Sequence, residues 1–225
     1  MKIALLGAES TGKTQLASDL AAHFRAQGKN VTVVSEVLRT WCEREGRTPR
    51  PEEQMPIAQE QERLVDEAAA VSDIVIADTT AVMVAIYSAM LFEDGSLYQF
   101  ALARLKTYDF TLLTGLDLPW VADGLQRDGP HVREPVDALV RAALAKAGVG
   151  YRVVYGSGRE RLDNALRAIG EADALTPTST PESKLSGDPV TLSQREREKV
   201  KWQWVCDKCS DPDCEHRLFT GLGKS

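Results

Sequence analysis

Short apolar runs alternate with longer amphipathic stretches through the first 172 residues of the chain. Five runs are four or five residues long and consist mainly of aliphatic and β-branched side chains, which is typical of strands buried on both faces. They span residues 2–6, 31–35, 74–77, 110–114 and 151–155. The pattern predicts five strands.

Helical spacing fills the stretches between these runs. Leu16, Leu20 and Phe24 recur at intervals of four and form one apolar stripe, which Gly28 ends. Further helices are predicted over residues 52–71, 82–91, 97–106, 136–147 and 159–172. Strands that alternate with helices of this length indicate a parallel sheet covered by helices on both faces. The predicted fold class is α/β, a three-layer sandwich of about five parallel strands.

The composition changes after residue 172. Residues 173–193 contain three prolines and many Ser and Thr residues, which is typical of a linker. A charged stretch then leads into a cluster of cysteines. We therefore predict a main domain over residues 1–172, a linker over 173–193 and a Cys-rich tail over 194–225.

The overall charge excludes some classes of function. Apolar residues make up 43% of the chain and charged residues 27%, so the chain is not a disordered one. The formal net charge of −6 argues against a broad nucleic-acid-binding surface. The longest stretch without a charge, residues 79–92, is 14 residues long and too short for a membrane-spanning helix. The N-terminus lacks the pattern of a signal peptide. We expect a cytoplasmic protein that does not associate with a membrane.

Residues 7–14 carry the clearest chemical motif, because Gly-Ala-Glu-Ser-Thr-Gly-Lys-Thr fits the pattern G-x-x-x-x-G-K-[ST] at each position. Glycines let successive backbone N–H groups turn towards a phosphate, and the following helix directs its N-terminal dipole at the same point. The lysine can reach the β- and γ-phosphates, and the final threonine can bind Mg²⁺. The candidate nucleotide-binding residues are Gly7, Glu9, Ser10, Thr11, Gly12, Lys13 and Thr14. The motif predicts a P-loop NTPase with ATP and Mg²⁺ as cofactors.

Asp78 directly follows the third predicted strand. A carboxylate at this position can hold Mg²⁺, directly or through water, or accept a proton from a substrate hydroxyl. Alternatively, Asp78 caps the helix that begins near Thr80. The two roles can coexist.

Glu36 and Arg39 follow the second predicted strand, where a P-loop kinase faces its acceptor. The carboxylate of Glu36 can orient or deprotonate a hydroxyl, and Arg39 can hold a phosphate. The alternative is an ion pair between residues three apart at the start of a helix.

Residues 117–134 contain proline, glycine and charged residues, and predict a loop or short-helix lid. Arg127 and Arg133 lie in this segment, where cations can close over a phosphate during its transfer. Trp120 is placed to stack on a flat ring, although a single Trp more often packs against the protein.

Four segments together resemble a known family: the loop GAESTGKT, the segment SEVLR, the DTT after the third strand, and LDLPWVADGLQRDG. Residues 1–172 resemble the ribosylnicotinamide kinase domain of NadR-type NAD-biosynthesis proteins and the related AAA_28-type NTPases. The resemblance implies a P-loop kinase fold, MgATP as donor and the 5′-hydroxyl of a nucleoside as acceptor. Lys13 and Thr14 match the family's phosphate and Mg²⁺ residues. The positions that match its substrate-side and lid motifs are Glu36, Arg39, Asp78, Asp117, Trp120, Asp123 and Arg127.

The tail carries a separate candidate metal site in Cys206, Cys209, Cys214 and His216. Three thiolates and one imidazole within eleven residues are a plausible tetrahedral set for a structural Zn²⁺. Free thiols or a redox pair are the alternatives. A tail of this length needs a metal or a docking surface to become ordered, so a protein partner or self-association through the tail is a further expectation.

Together these residues predict a MgATP-dependent small-molecule kinase that acts on a nucleoside-like hydroxyl, with nicotinamide riboside as the first candidate. Catalysis would use Lys13, Asp78, Glu36 and Arg127, and Asp123 and Arg133 would belong to the substrate side. The alternative is a regulatory ATPase that acts through a protein partner docked on the zinc tail. A nucleic-acid-dependent ATPase is disfavoured by the acidic balance.

Overall fold

A computed structural model describes residues 1–92, 95–121 and 129–170. Its centre is a parallel sheet of five strands in the order β2-β3-β1-β4-β5. The strands are β1 (Lys2–Leu6), β2 (Val31–Val34), β3 (Ile74–Asp78), β4 (Phe110–Thr114) and β5 (Arg152–Val154). The predicted α/β class, the number of strands and their parallel arrangement are therefore confirmed.

The helices cover both faces of this sheet. They are α1 (Lys13–Ala26), α2 (Val37–Glu45), α3 (Pro51–Val71), α4 (Ala81–Phe92), α5 (Leu97–Leu105), α6 (Arg133–Ala147) and α7 (Gly158–Ala168). Side chains that alternate along the strands enter two separate cores. Ile3 and Leu5 of β1 pack with α1 and α7, whereas Ala4 and Leu6 pack with α3, α4, α5 and α6. The strands are thus buried on both faces, as their apolar runs predicted.

The structure differs from the predicted elements mainly at their ends. Helix α6 begins at Arg133 and follows a short 3-10 helix, Pro130–Val132, so Arg133 belongs to a helix and not to a loop. Pro135 is compatible with this early start, because the first turn of a helix does not need its backbone N–H. For helix α2, the sequence predicted only a helix start near Glu36. None of its residues is fully buried, so the end of the helix could not be predicted from burial.

The strand order determines where the loops meet. Strand β1 lies between β3 and β4, with Leu5 opposite Asp78 on one side and Leu6 opposite Leu113 on the other. The carboxyl ends of parallel strands share one edge, which is where α/β sheets bind ligands. The loop after β1, the end of β3 and the segment after β4 therefore adjoin. Among the helices of the described residues, none is long and apolar enough to cross a membrane.

Candidate functional site

The backbone of residues 7–14 forms a tight loop between β1 and α1. Gly7, Ser10 and Gly12 have φ angles of 146°, 55° and 74°. These positive values turn consecutive N–H groups to one side, and the loop leads directly into the N-terminus of α1 at Lys13. The loop has the shape that a phosphate needs, as the motif predicted.

Two threonines hold this loop against the end of β4. The Thr11 hydroxyl lies 2.7 Å from Ala8 O and 2.7 Å from Thr114 Oγ1, and the Thr114 hydroxyl donates to Leu6 O at 3.1 Å. Both threonines are fully buried. A Cβ on Gly7 would lie 2.1 Å from Thr114 Oγ1, so glycine is required here for space as well as for its φ angle.

Lys13 folds back over its own loop. Its Nζ donates to Gly7 O at 2.9 Å and to Ala8 O at 2.8 Å. The ammonium group therefore lies at the opening of the loop, within reach of a phosphate bound there. Thr14, the next residue, is exposed. The loop, Lys13, Thr14 and the nearby Asp78 together supply the donors and oxygen ligands that suit a nucleotide with Mg²⁺.

Asp78 ends β3 and is 5% exposed. In the described part of the chain, the Asp78 carboxylate does not cap α4. The first amide of that helix, Ala81 N, donates to Glu62 Oε1 at 3.0 Å, and Val82 N donates to Thr80 Oγ1 at 3.2 Å. The capping alternative is therefore not what the structure shows.

Thr79, directly after Asp78, has a φ angle of 95°. A positive φ is strained for a β-branched residue, and such strain persists only where the surroundings impose it. Strained backbone is concentrated at functional sites in proteins, and here it adjoins the candidate carboxylate.

Glu36 and Arg39 form the ion pair that their spacing indicated, with Arg39 Nη2 3.4 Å from Glu36 Oε2. Glu36 is the N-cap of α2, but its carboxylate makes no capping hydrogen bond. Cys42 lies further along α2, where burial and, to a smaller extent, the charge of Glu36 raise its pKa to about 11. Cys42 is therefore a neutral thiol near pH 7 and not a nucleophile.

The segment after β4 is hydrogen-bonded to the loop of residues 7–14, which we call the phosphate loop. Ser10 Oγ donates to Val121 O at 3.1 Å and accepts from Val121 N at 2.8 Å, and Trp120 Nε1 donates to Glu9 Oε1 at 3.3 Å. Trp120 thus packs on the loop. Asp117 accepts Gly156 N at 2.7 Å and so joins the turn after β5. Its role towards a substrate stays a prediction.

Arg133 is buried at the start of α6, with 7% of its surface exposed. Its Nη1 donates to Leu118 O at 2.8 Å, while Nε and Nη2 are buried without a hydrogen-bond partner. No carboxylate of the described residues forms an ion pair with it. A buried cation without a counter-charge is costly, so an anion that reaches it would be bound favourably.

Arg161 is a residue that the sequence analysis did not select. It lies on α7, is 4% exposed, and donates from Nη2 to Thr11 O at 2.6 Å and from Nη1 to Gly156 O at 2.7 Å. Its Nη1 also lies 3.4 Å from Asp117 Oδ1. One guanidinium therefore joins the phosphate loop to the turns after β4 and β5. No motif marks it, because its partners lie up to 150 positions away in the chain.

A cavity of about 670 Å³ lies between α2, α3 and β2, and Ser35, Val37 and Thr40, the neighbours of Glu36 and Arg39, are among the residues that line it. Trp41, Ile57 and Leu64 are among its lining residues. Neither Asp78 nor any residue of the phosphate loop lines it. It is therefore not the site of phosphate chemistry.

Several predicted residues lie outside the described part of the chain: Asp123, Arg127, Cys206, Cys209, Cys214 and His216. The same holds for the linker and the tail. Within residues 1–92, 95–121 and 129–170, no group of three or more His, Cys, Asp or Glu side chains is arranged to hold a metal ion. The zinc site therefore stays a prediction from sequence.

Solved structures with a similar fold include two of NadR proteins. One, in complex with NR, has a TM-score of 0.62 and 18% identity, and the match covers 80% of this chain and 52% of that one. Another, in complex with NAD and AMP-PNP, has a TM-score of 0.55 and 18% identity, with 80% and 51% covered. The chain thus matches about half the length of these structures.

A thymidylate kinase from Ehrlichia chaffeensis is similar over almost its whole length. Its TM-score is 0.54 and its identity 16%, and the match covers 76% of this chain and 97% of that one. At these identities the three likenesses show a common fold and nothing further. None of the curated proteins matches the chain by sequence comparison.

The sequence profile of the AAA_28 family, described as an AAA domain, matches residues 2–161. This range contains the phosphate loop together with Asp78, Arg133 and Arg161. The resemblance found from the motifs is therefore confirmed. The chain belongs to the AAA_28 family.

Proposed function

We propose that the chain is a MgATP-dependent phosphotransferase that phosphorylates a hydroxyl of a nucleoside-like small molecule, with nicotinamide riboside as the first candidate. The proposal rests on the phosphate loop of residues 7–14, which lies beside the carboxylate of Asp78. Similarity to a NadR protein solved with NR supports the choice of acceptor. Similarity to a thymidylate kinase supports an acceptor of the nucleoside type.

The donor side uses the loop. Its backbone amides and Lys13 bind the β- and γ-phosphates, and Thr14 and Asp78 hold Mg²⁺, which screens the charge of the phosphates. Catalysis by such a site consists mainly of positioning and charge stabilisation.

The acceptor side uses the ends of β2 and β3. The bond between the γ-phosphorus and its bridging oxygen breaks, and a bond from phosphorus to the acceptor oxygen forms. The hydroxyl proton goes to the carboxylate of Glu36 or Asp78. Arg39 holds the acceptor close to Glu36. Arg133, together with Arg127, stabilises the charge on the transferred group.

ADP release from MgATP tests this proposal, with a panel of nucleosides that includes nicotinamide riboside. We expect turnover that depends on one acceptor, and Lys13→Ala should lower kcat/KM by about 10²-fold or more, since it removes a charge from the phosphate site. Lys29→Ala is the matched control, because Lys29 is an exposed lysine after α1. If the protein binds nucleotide but no acceptor stimulates turnover, the kinase proposal is wrong.

A regulatory ATPase is the alternative, favoured by the Cys-rich tail in the sequence. Removal of residues 193–225 separates the two functions. A kinase should keep its acceptor-dependent turnover without the tail. A regulatory ATPase should show slow hydrolysis of its own and lose its response to a protein partner.

We further propose a structural Zn²⁺ bound by Cys206, Cys209, Cys214 and His216, and a cytoplasmic location, where thiols stay reduced. Elemental analysis of the purified full chain should give about one zinc per chain. Cys209→Ser together with Cys214→Ser should abolish it, whereas Cys42→Ser should leave it unchanged. Zinc retained in the double variant would contradict this site.

A further inference from the structure

Two helices begin within three residues of the two candidate carboxylates of the acceptor side. Helix α2 follows Glu36, and α4 begins three residues after Asp78. The first N–H groups of a helix have no partner inside the helix, and a side chain just before the helix usually accepts them. Glu36 occupies this position before α2, and its side chain makes no capping hydrogen bond. Thr80 occupies it before α4 and accepts Val82 N, which leaves Ala81 N to another acceptor.

Helix α3 supplies an acceptor for the first amide of each of these helices, from two adjacent residues. Gln61 Oε1 accepts Val37 N at 2.8 Å, and Glu62 Oε1 accepts Ala81 N at 3.0 Å. Gln61 is 1% exposed and Glu62 is 2% exposed. A single turn of α3 therefore fixes the start of α2 and the start of α4.

From this arrangement we infer that Gln61 and Glu62 are positioning residues of the phosphoryl-transfer site. Their side chains bind the backbone amides of Val37 and Ala81, so that these two amides need no acceptor from the carboxylates of Glu36 and Asp78. The inference rests on the proposed function, because it concerns the residues that would receive the acceptor.

The bond to Val37 fixes the peptide unit that links Glu36 to Val37, and hence the direction of the Glu36 side chain. The bond to Ala81 fixes the turn that runs from Asp78 through the strained Thr79. A strained conformation needs such external contacts to persist. Both carboxylates are thereby oriented from the same helix.

The Gln61 side chain is not explained by a contribution to stability alone. Gln61 Nε2 is buried without a hydrogen-bond partner, which is costly, and an apolar residue would avoid that cost. Glu62 is a buried carboxylate whose second oxygen accepts the Tyr108 hydroxyl at 3.1 Å and Arg104 Nε at 3.4 Å. This second set of contacts holds Glu62 in place while its first oxygen binds Ala81.

Amide hydrogen exchange tests the arrangement without reference to activity. In the full chain, Gln61→Met keeps the shape of the side chain but removes the acceptor, so the Val37 amide should exchange at least tenfold faster while Ala81 stays protected. Glu62→Met should have the opposite pattern, and Glu62→Gln should restore protection at Ala81. Unchanged exchange at Val37 in Gln61→Met would overturn the inference.

Kinetics test the consequence for the site. Gln61→Met should lower kcat/KM for the acceptor about tenfold and leave KM for MgATP unchanged, since the loss of one buried acceptor misplaces Glu36 only. Val65→Ala is the matched control, because Val65 lies on the same helix, is fully buried in the core and contacts neither turn by a hydrogen bond. It should lower the Tm and leave the acceptor kinetics unchanged. Equal kinetic effects of the two variants would overturn the positioning role.

The two failures are distinguishable. If the wild-type chain turns over no acceptor, the proposed function fails. The exchange pattern at Val37 and Ala81 then shows by itself whether Gln61 and Glu62 hold these two amides. If the wild type is active and Gln61→Met matches it in acceptor kinetics, the proposed function stands and the positioning role fails.

Discussion

Gly7 is required by two separate physical constraints. Its φ angle of 146° suits glycine only, and a Cβ there would meet Thr114 Oγ1 at 2.1 Å. We expect Gly7→Ala to lower the Tm and to abolish nucleotide binding measured by calorimetry. Gly28→Ala tests the effect of the positive φ angle alone, because Gly28 has a φ angle of 78° and open space around it. That control should cost about 1–2 kcal/mol of stability and leave nucleotide binding intact.

Asp78 is expected to act through its charge. Asp78→Asn keeps the shape of the side chain and removes the negative charge. We therefore expect kcat to fall by about 10²-fold and the Mg²⁺ concentration needed for half-maximal activity to rise. The control is Asp109→Asn, since Asp109 lies just before β4 at the opposite edge of the sheet, where it accepts Lys2 N at 2.7 Å. Equal Mg²⁺ dependence of the two variants would contradict the metal role of Asp78.

Glu53 gives the stability of the fold a pH dependence. Hydrogen bonds from the Arg47 side chain and then from Arg50 N lower the pKa of Glu53 to about 2 from 4.5. Since the folded-state pKa is lowered, the stabilisation is present above about pH 4.5 and is lost as the pH falls towards 2. Glu53→Gln should therefore be less stable than the wild type at pH 7 in urea unfolding, and the difference should narrow at pH 2.5. A difference that stays constant with pH would contradict this interpretation.

Helix α7 acts on the phosphate loop through Arg161. Because one planar guanidinium serves Thr11 O, Gly156 O and Asp117, an ammonium cannot replace it. Arg161→Lys should weaken nucleotide binding about tenfold, since it removes at least one buried hydrogen bond to the loop. Arg159→Lys on the same helix is the control, because Arg159 is 77% exposed and pairs only at the surface. Equal nucleotide affinities would show that Arg161 does not shape the loop.

Elements with a strong local pattern were predicted well. The apolar runs of β1 and β4 agree with the observed strands residue by residue, and α3 and α4 begin within one residue of the prediction. Helix α2 was recognised only at its start, because it is short and none of its residues is fully buried, although Val37, Leu38 and Trp41 pack against the core. The start of α6 was misplaced because proline and glycine around residues 129–135 suggested a loop.

The whole molecule should retain its chemistry without the tail. Among the described residues, both cores, one on each face of the sheet, end at residue 169, so we expect residues 1–172 to fold without the tail. A chain that ends at residue 172 is expected to unfold cooperatively and to bind nucleotide with the affinity of the full chain. Thermal unfolding and calorimetry check this. A chain that fails to fold would show that the tail contributes to the main domain.

The sequence by itself determined the class of fold, the phosphate loop and the position of Asp78 at a strand end. These features depend on consecutive residues, because strand burial, helix periodicity and the glycine spacing of the loop are all local. The order of glycine, lysine and threonine in residues 7–14 is sufficient to predict an anion-binding turn.

Only the tertiary structure decided which side chains hold the site together. Arg161 reaches Thr11 across 150 positions, Gln61 reaches Val37 across 24, and Glu62 reaches Ala81 across 19. Hydrogen bonds of this kind depend on the order of the strands and on helix packing, which no local pattern encodes. The candidate residues of the proposed site could therefore be predicted from the sequence, whereas the residues that support them could be identified only in the folded structure.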